Sequence, residues 1–228
     1  MKILITGAAG TVGSIVVNGL RDRYTLRGFD RAPMPDLDDT VVAELTDFDA
    51  LARATSDMDA VIHLAGNPSG AAPWDEILHS NIIGTYNLFE AARRNGVRRV
   101  AFASRAGFLA AYPEEMTRTI DLPPRPESYY SISKLFGENL CYLYASKHGL
   151  ECVAVRIGNV HADRPHAEHP HHLSHADLVQ VFERAVTHPG LSYEVVFGVS
   201  AGDWPLYDLE HGRRAIGYNP ERRADDRT

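Results

Sequence analysis

Short, largely apolar runs alternate with longer amphipathic ones along this chain. The apolar runs, at residues 3–6, 25–30, 41–44, 60–64, 100–104, 152–157 and 195–198, span four to six residues each. Several lack the in–out alternation of a sheet with one wet face, so they read as strands covered on both sides. Between them, residues 11–23, 47–54, 74–95, 129–147 and 175–187 carry the helical spacing of apolar positions. This order predicts an α/β fold: a doubly wound parallel sheet with right-handed crossovers. The rhythm breaks at residues 160–174, which read as a long loop. We therefore divide the chain into a sheet-bearing core, 1–159, and a small substrate-side segment, 160–228, with one returning helix and strand.

Composition narrows the function classes. The chain has 228 residues, 44% of them apolar and 23% charged, and a formal net charge of −7. That balance argues against a nucleic-acid surface, which needs clustered Lys and Arg. Arg93, Arg94, Arg98 and Arg99 flank a predicted helix end, where cations are favoured anyway. No apolar run reaches the roughly 18 residues that span a bilayer, and the chain opens directly on a strand without a secretory leader pattern. Cys141 and Cys152 read as reduced, buried thiols rather than metal ligands. A cytoplasmic protein is the expectation.

The chemistry begins where the first strand ends. Thr6-Gly-Ala-Ala-Gly-Thr-Val-Gly13 lies between a strand and a helix. Gly7 allows a tight turn, Gly10 lets backbone approach a pyrophosphate, and Gly13 permits close helix–strand packing; Thr11 and Val12 open the helix whose free amides receive the phosphates. Asp30 ends the second strand, placed to accept from the adenosine ribose and to disfavour a 2′-phosphate. NAD is the expected cofactor and NADP the lesser one, with Arg31 next door able to accommodate the extra phosphate. These features specify the Rossmann form of the doubly wound sheet. Further along, Tyr130-Ser-Ile-Ser-Lys134 sets a phenol and an ammonium one helical turn apart. A nearby cation stabilises phenolate, so Tyr130 suits a base removing a hydroxyl proton as hydride leaves the same carbon.

Together with His63-Leu-Ala-Gly66, Asn81-Ile-Ile-Gly84, Phe102-Ala-Ser104 and Arg156-Ile-Gly-Asn159, these motifs resemble the extended short-chain dehydrogenases, the NAD-dependent epimerases/dehydratases. Within that superfamily the chain looks most like uronate dehydrogenases, which oxidise a sugar acid at its anomeric carbon with NAD. The resemblance implies that Gly7, Gly10 and Gly13 hold the pyrophosphate and Asp30 the ribose. It places Leu45 near the adenine, and Leu64, Ala65, Gly66 and Ile157 along the cofactor. It gives Lys134 a second role on the nicotinamide ribose. Asn81 supports the central helix or serves as an ordinary helix N-cap. The resemblance also implies a homodimer built by pairing helices 74–95 and 129–147 of two copies.

Two positions depart from the pattern. Arg105 stands where the family carries a catalytic serine, and Ser104 immediately precedes it. Neighbours in a strand face opposite ways, so Ser104 replaces that serine only if the chain bends. Arg105 is a substrate anchor or oxyanion donor, a structural salt-bridge partner, or the mark of a lost activity. After Asn159, the carboxylate-binding arginine of uronate dehydrogenases has no secure counterpart; Arg164 is the candidate. Substrate contacts are thus expected from Arg105, Asn159 and Arg164, with Ser104, Arg105, Tyr130 and Lys134 as the catalytic group and no metal required. Six of the eleven histidines fall between His161 and His175, where they line a sugar pocket, simply add polarity, or, through His169, His171, His172 and His175 with a nearby carboxylate, bind zinc or nickel. The expected activity is NAD-dependent oxidation of a sugar or sugar acid. The rivals are a nucleotide-sugar epimerase or dehydratase, and an NAD(P)-binding sensor without turnover.

Overall fold

The computed structural model describes residues 1–162, 171–202 and 206–221. Among them, seven strands form one all-parallel sheet in the order β3-β2-β1-β4-β5-β6-β7. The strands are β1 (Lys2–Thr6), β2 (Thr25–Asp30), β3 (Thr40–Val42), β4 (Ala60–His63), β5 (Arg99–Arg105), β6 (Glu151–Ile157) and β7 (Tyr193–Gly198). The helices are α1 (Thr11–Leu20), α2 (Phe48–Thr55), α3 (Trp74–Ile77), α4 (Gly84–Arg94), α5 (Tyr129–His148), α6 (His175–Thr187) and α7 (Glu210–Ile216). Strand order reverses between β1 and β4, and such a switch point opens a crevice at the carboxyl ends of the strands.

The apolar runs are strands because both their faces are dry. Ile3, Ile5, Ala101, Ala103, Val153 and Val155 pack with α1 and α6, while Leu4, Val61, Val100, Phe102 and Ala154 pack with α2, α4 and α5. Each fully buried Val, Leu or Ile contributes roughly 1.5–3 kcal/mol, so the sheet is a stiff platform for the residues that leave its top edge.

Several elements differ from the sequence pattern. The helix expected over 74–95 is interrupted by a π-helical stretch, Leu78–Ile83, between α3 and α4. Asn81 lies inside that stretch rather than at an N-cap, and its side chain reaches out of the helix to the loop after β4. A π turn of this kind re-aims a side chain without ending the helix. Strand β7 begins two residues early because Tyr193 pairs with Cys152 of β6, and β3 covers Thr40–Val42 rather than 41–44. Helix α7, with Gly217 in the left-handed conformation as its C-cap, is an element the periodicity did not mark.

Candidate active site

The Gly-rich turn makes a backbone cradle at the end of β1. Gly7 has φ +74°, a conformation open to glycine, and its amide donates to Phe29 O at 2.8 Å. A Cβ on Gly13 would stand 2.0 Å from Gly7 O, so only glycine lets α1 approach the turn this closely. Helix α1 starts at Thr11 without a capping side chain or an acidic residue in its first turn, so its leading amides point at the crevice unclaimed by either. Asp30 braces the turn from the side, accepting from Ala9 N and Ala32 N, each at 3.0 Å. Its remaining lone pairs are free for a ribose diol. Residues 64–66 form the wall opposite: Leu64 N donates to Thr6 O at 3.1 Å and Ala65 N to Thr6 Oγ1 at 3.3 Å. Leu45 is buried beneath Gly84 of α4, so its side chain supports this end of the crevice from below. A dinucleotide fits this cradle: a tight glycine turn, open amides, and an acid at the next strand end.

Helix α5 carries the phenol and the ammonium. Its N-cap is Ser128, whose hydroxyl accepts from Ser131 N at 3.1 Å. Tyr130, Lys134 and Glu138 recur every fourth residue and so share one face. Lys134 Nζ lies 5.7 Å from the centre of the Tyr130 ring and 5.1 Å from that of Phe102. Almost wholly buried, Lys134 has its pKa pushed down to about 8 by desolvation. Burial pushes the Tyr130 phenol above its ordinary value, and the charge of Arg105 pulls it back down.

Arg105 is the last residue of β5, extended at φ −140° and ψ 126°. Its guanidinium sits against Gly107, where a Cβ would meet Nε at 2.4 Å. Nη1 donates to Ser131 Oγ at 3.3 Å, and Cζ stands 5.7 Å from the centre of the Tyr130 ring. Ser104 turns the other way, as strand alternation requires. Its hydroxyl donates to Glu138 Oε1 at 2.6 Å, and Glu138 accepts two bonds of 2.9 Å from Arg156. The β5 end therefore separates the two neighbours: the arginine faces Tyr130, and the serine joins a buried ion pair tying α5 to the sheet.

Arg105 and Tyr130 line a cleft of about 340 Å³, together with Pro68, Ile157, Asn159 and His171, and Ser104 borders it as well. Ile157 lies opposite Arg105 in the β5–β6 register. Asn159 N donates to His171 O at 2.6 Å, which brings the loop after β6 against the histidine segment. Arg164, the other expected substrate contact, lies outside the described residues, as does His169. Among the described residues, no three His, Cys, Asp or Glu side chains are grouped to hold a metal ion, and no helix is long and apolar enough to cross a membrane.

Several further side chains brace the site. His63 is completely buried between Thr6 Oγ1 at 2.7 Å and Thr85 Oγ1 at 3.2 Å. Desolvation and the charge of Lys134 push its pKa down to about 3, so it is a neutral strut joining β1, β4 and α4. Asn81 Oδ1 accepts from Asn67 N at 2.7 Å, and Nδ2 donates to Ser133 Oγ at 3.0 Å, pinning the β4 loop to α5. His171, Tyr207 and Arg118 come from three loops far apart in sequence. His63 and Asn81 stood in the sequence motifs, Glu138 had a legible signal in its spacing of four from Lys134, and Arg118 and Tyr207 were not singled out.

The model of the NAD dependent epimerase/dehydratase family matches residues 3–193. The chain is 36% identical to an NAD-dependent glucose-6-phosphate dehydrogenase of Haloferax volcanii, over 96% of this chain and 92% of the relative. It is 38% identical to a uronate dehydrogenase of Pseudomonas syringae, over 96% of this chain and 82% of that one. A crystal structure of uronate dehydrogenase from Agrobacterium tumefaciens complexed with NAD superposes with a TM-score of 0.90 at 34% identity, covering 98% of this chain and 86% of that chain. A UDP-glucose 4-epimerase of Mycolicibacterium smegmatis is more distant, at 31% identity over 82% of this chain.

Proposed function

Because this chain belongs to the NAD-dependent epimerase/dehydratase family, we propose that it is an NAD-dependent sugar dehydrogenase in which Tyr130 takes the proton of the reacting hydroxyl. The observation that carries the assignment is the placing of Tyr130 and Arg105 together in one cleft with Ile157 and Asn159, which end and follow β6. The bound nicotinamide supplies the hydride acceptor. Every other task falls to side chains of this chain. Tyr130, as phenolate, accepts the hydroxyl proton while the hydrogen on the same carbon departs as hydride. Arg105 lowers the cost of that phenolate and donates to the substrate oxygen as it gains alkoxide character, the work a serine hydroxyl would do with one weaker bond. Lys134, held nearly dry one turn below, serves the nicotinamide ribose. Ser104 supports rather than donates, through Glu138 and Arg156.

Gly7, Gly10, Gly13, Thr11 and Val12 serve the pyrophosphate in this reading, Asp30 the adenosine ribose, and residues 64–66 with Ile157 the nicotinamide half. Asn159 and the segment after it supply the substrate side of the cleft. A homodimer is part of the same reading. Tyr86 of α4 and Ile132, Tyr142 and Leu143 of α5 leave large apolar surfaces in water, and Trp74 and Tyr129 stack edge-on beside them. Two such helix faces brought together would cover that surface as a four-helix bundle. We place the protein in the cytoplasm, in keeping with two buried, unbridged cysteines.

The test is direct. The purified protein is given NAD or NADP with aldoses, uronates and sugar phosphates, and formation of reduced nicotinamide is followed. Turnover with a sugar and NAD, lost in Tyr130→Phe, is the expected result. Measured NAD binding with no turnover across the panel would refute it. Sedimentation measures the dimer.

A further inference from the structure

Gly107 has no backbone reason to be glycine. It lies in the short 3-10 turn, Ala106–Leu109, that follows β5, and its φ is not among the positive ones. What keeps a side chain out is Arg105. A Cβ at position 107 would meet Arg105 Nη2 at 2.7 Å and Cζ at 2.9 Å, with Nε closer still. At Gly7 and Gly13 an added Cβ would strike backbone instead, so there the turn itself depends on glycine. At Gly107 the nearest atoms all belong to the end of a flexible side chain. A methyl group there would leave the backbone in place and push the guanidinium aside.

The guanidinium is held from a second side by α5. Nη1 donates to the buried Ser131 Oγ at 3.3 Å. A guanidinium only donates, so Ser131 Oγ accepts that bond and gives its own proton to Ser128 Oγ, 3.1 Å away. Ser128 is the α5 N-cap and accepts from Ser131 N as well. The support for Arg105 is thus anchored at the start of the helix that carries Tyr130. Between Gly107 and Ser131, Cζ stands 5.7 Å from the centre of the Tyr130 ring. Two other titratable side chains stand near that phenol: Lys134 of the same helix, 5.7 Å from the ring, and His171 of the loop after β6, which lines the same cleft. Among the described residues no Asp or Glu lines it. A change at position 107 or 131 therefore reaches the phenol by moving Arg105.

We propose that Gly107 and Ser131 are positioning residues that hold the Arg105 guanidinium over Tyr130, and that arginine serves at the end of β5 because position 107 carries no side chain. The inference rests on the dehydrogenase reading above for the reaction it aids. Both residues act through Arg105 rather than on the reacting atoms. Gly107 and Arg105 form a unit in which the small residue is needed only while the large one is present.

The experiment is a cycle of Gly107→Ala, Arg105→Ser and the double variant, read as kcat/KM of NAD-dependent sugar oxidation across pH. Gly107→Ala should lower kcat/KM about tenfold or more at neutral pH and move its acidic limb to higher pH. In the Arg105→Ser background the same substitution should change neither, because the added methyl no longer meets a guanidinium. Ser131→Ala should give a smaller displacement in the same direction, again only while Arg105 is present. An equal loss from Gly107→Ala with and without Arg105 would mean that glycine makes room for the substrate itself, and would overturn the proposal; so would a Gly107→Ala profile that matches wild type. Should Gly107→Ala fail to fold, Ser131→Ala with and without Arg105 carries the same cycle, with the same outcomes deciding. A second readout needs no turnover: the Tyr130 phenol is titrated by ultraviolet absorbance, as the difference between each protein and its Tyr130→Phe counterpart. The titration should lie at higher pH in Gly107→Ala than in wild type. That shift in a protein that oxidises no sugar would sink the dehydrogenase reading and leave the positioning standing; sugar oxidation with an unmoved titration would sink the positioning.

Discussion

Replacing Arg105 with serine removes the guanidinium that draws Tyr130 toward its phenolate, and puts back the hydroxyl its relatives are expected to use. The magnitude follows from the 5.7 Å between the guanidinium carbon and the phenol ring. Unit charges at that separation interact by about 3 kcal/mol at an effective dielectric constant of about 20, and by about 0.7 kcal/mol in bulk water. Both groups are half-buried at a cleft mouth, so solvent and salt bring the effect between those limits. Losing that attraction raises the Tyr130 pKa. The sign is fixed by the chemistry. Tyr130 works deprotonated, so kcat/KM climbs with pH through its pKa, and losing the nearby cation moves that climb to higher pH. Below the climb, each unit costs about tenfold in rate. The assay is the pH profile of kcat/KM for sugar oxidation in wild type, Arg105→Ser and Arg105→Lys. Lysine should keep most of the shift but lose the planar fork, raising KM. An acidic limb at the same pH in all three proteins would refute the electrostatic role.

Other outcomes follow from the same contacts. Glu138→Leu leaves Arg156 buried without its anion and should lower unfolding free energy by about 3–5 kcal/mol, measured by chemical denaturation; adding Arg156→Leu should restore part of it. Ser104→Ala should cost about 1 kcal/mol of stability through the lost bond to Glu138, with kcat nearly unchanged; a selective collapse of kcat would make Ser104 the catalytic hydroxyl after all. Lys134 binds its proton more weakly folded, at about 8, than unfolded, near 10.5. The unfolded chain therefore holds more protons between those values, and cofactor-free stability should rise across that window by about 3 kcal/mol, a rise that Lys134→Met removes. Gly13→Ala drives a Cβ into Gly7 O and should abolish NAD binding, followed by the quenching of protein fluorescence on titration.

Much of this molecule is written in local patterns. The largely apolar runs determined the parallel sheet, because strands dry on both faces are mostly apolar, and the few polar residues in them, such as His63, Ser104 and Arg156, are each held by a buried partner. The glycine turn and Asp30 determined the cofactor cradle, because a positive φ at Gly7 and a close approach at Gly13 leave no other residue type. The spacing from Tyr130 to Lys134 determined that both share a helix face. What the pattern does not hold is anything that depends on two distant segments meeting. The π turn at Asn81 exists because a side chain leaves the helix to fasten the loop at Asn67. The allegiance of Ser104 was set by Glu138 and Arg156, which approach from another helix and another strand. Arg105 could be a salt-bridge partner or a site residue until the fold laid it over Tyr130 with no carboxylate beside it among the described residues. Arg118 and Tyr207 looked unremarkable along the chain, since burial and unmet hydrogen bonds are properties of a packed interior. Sequence determined the platform and the base; tertiary structure decided the charges around the substrate, because electrostatic partnership is a matter of distance in space and exposure to water.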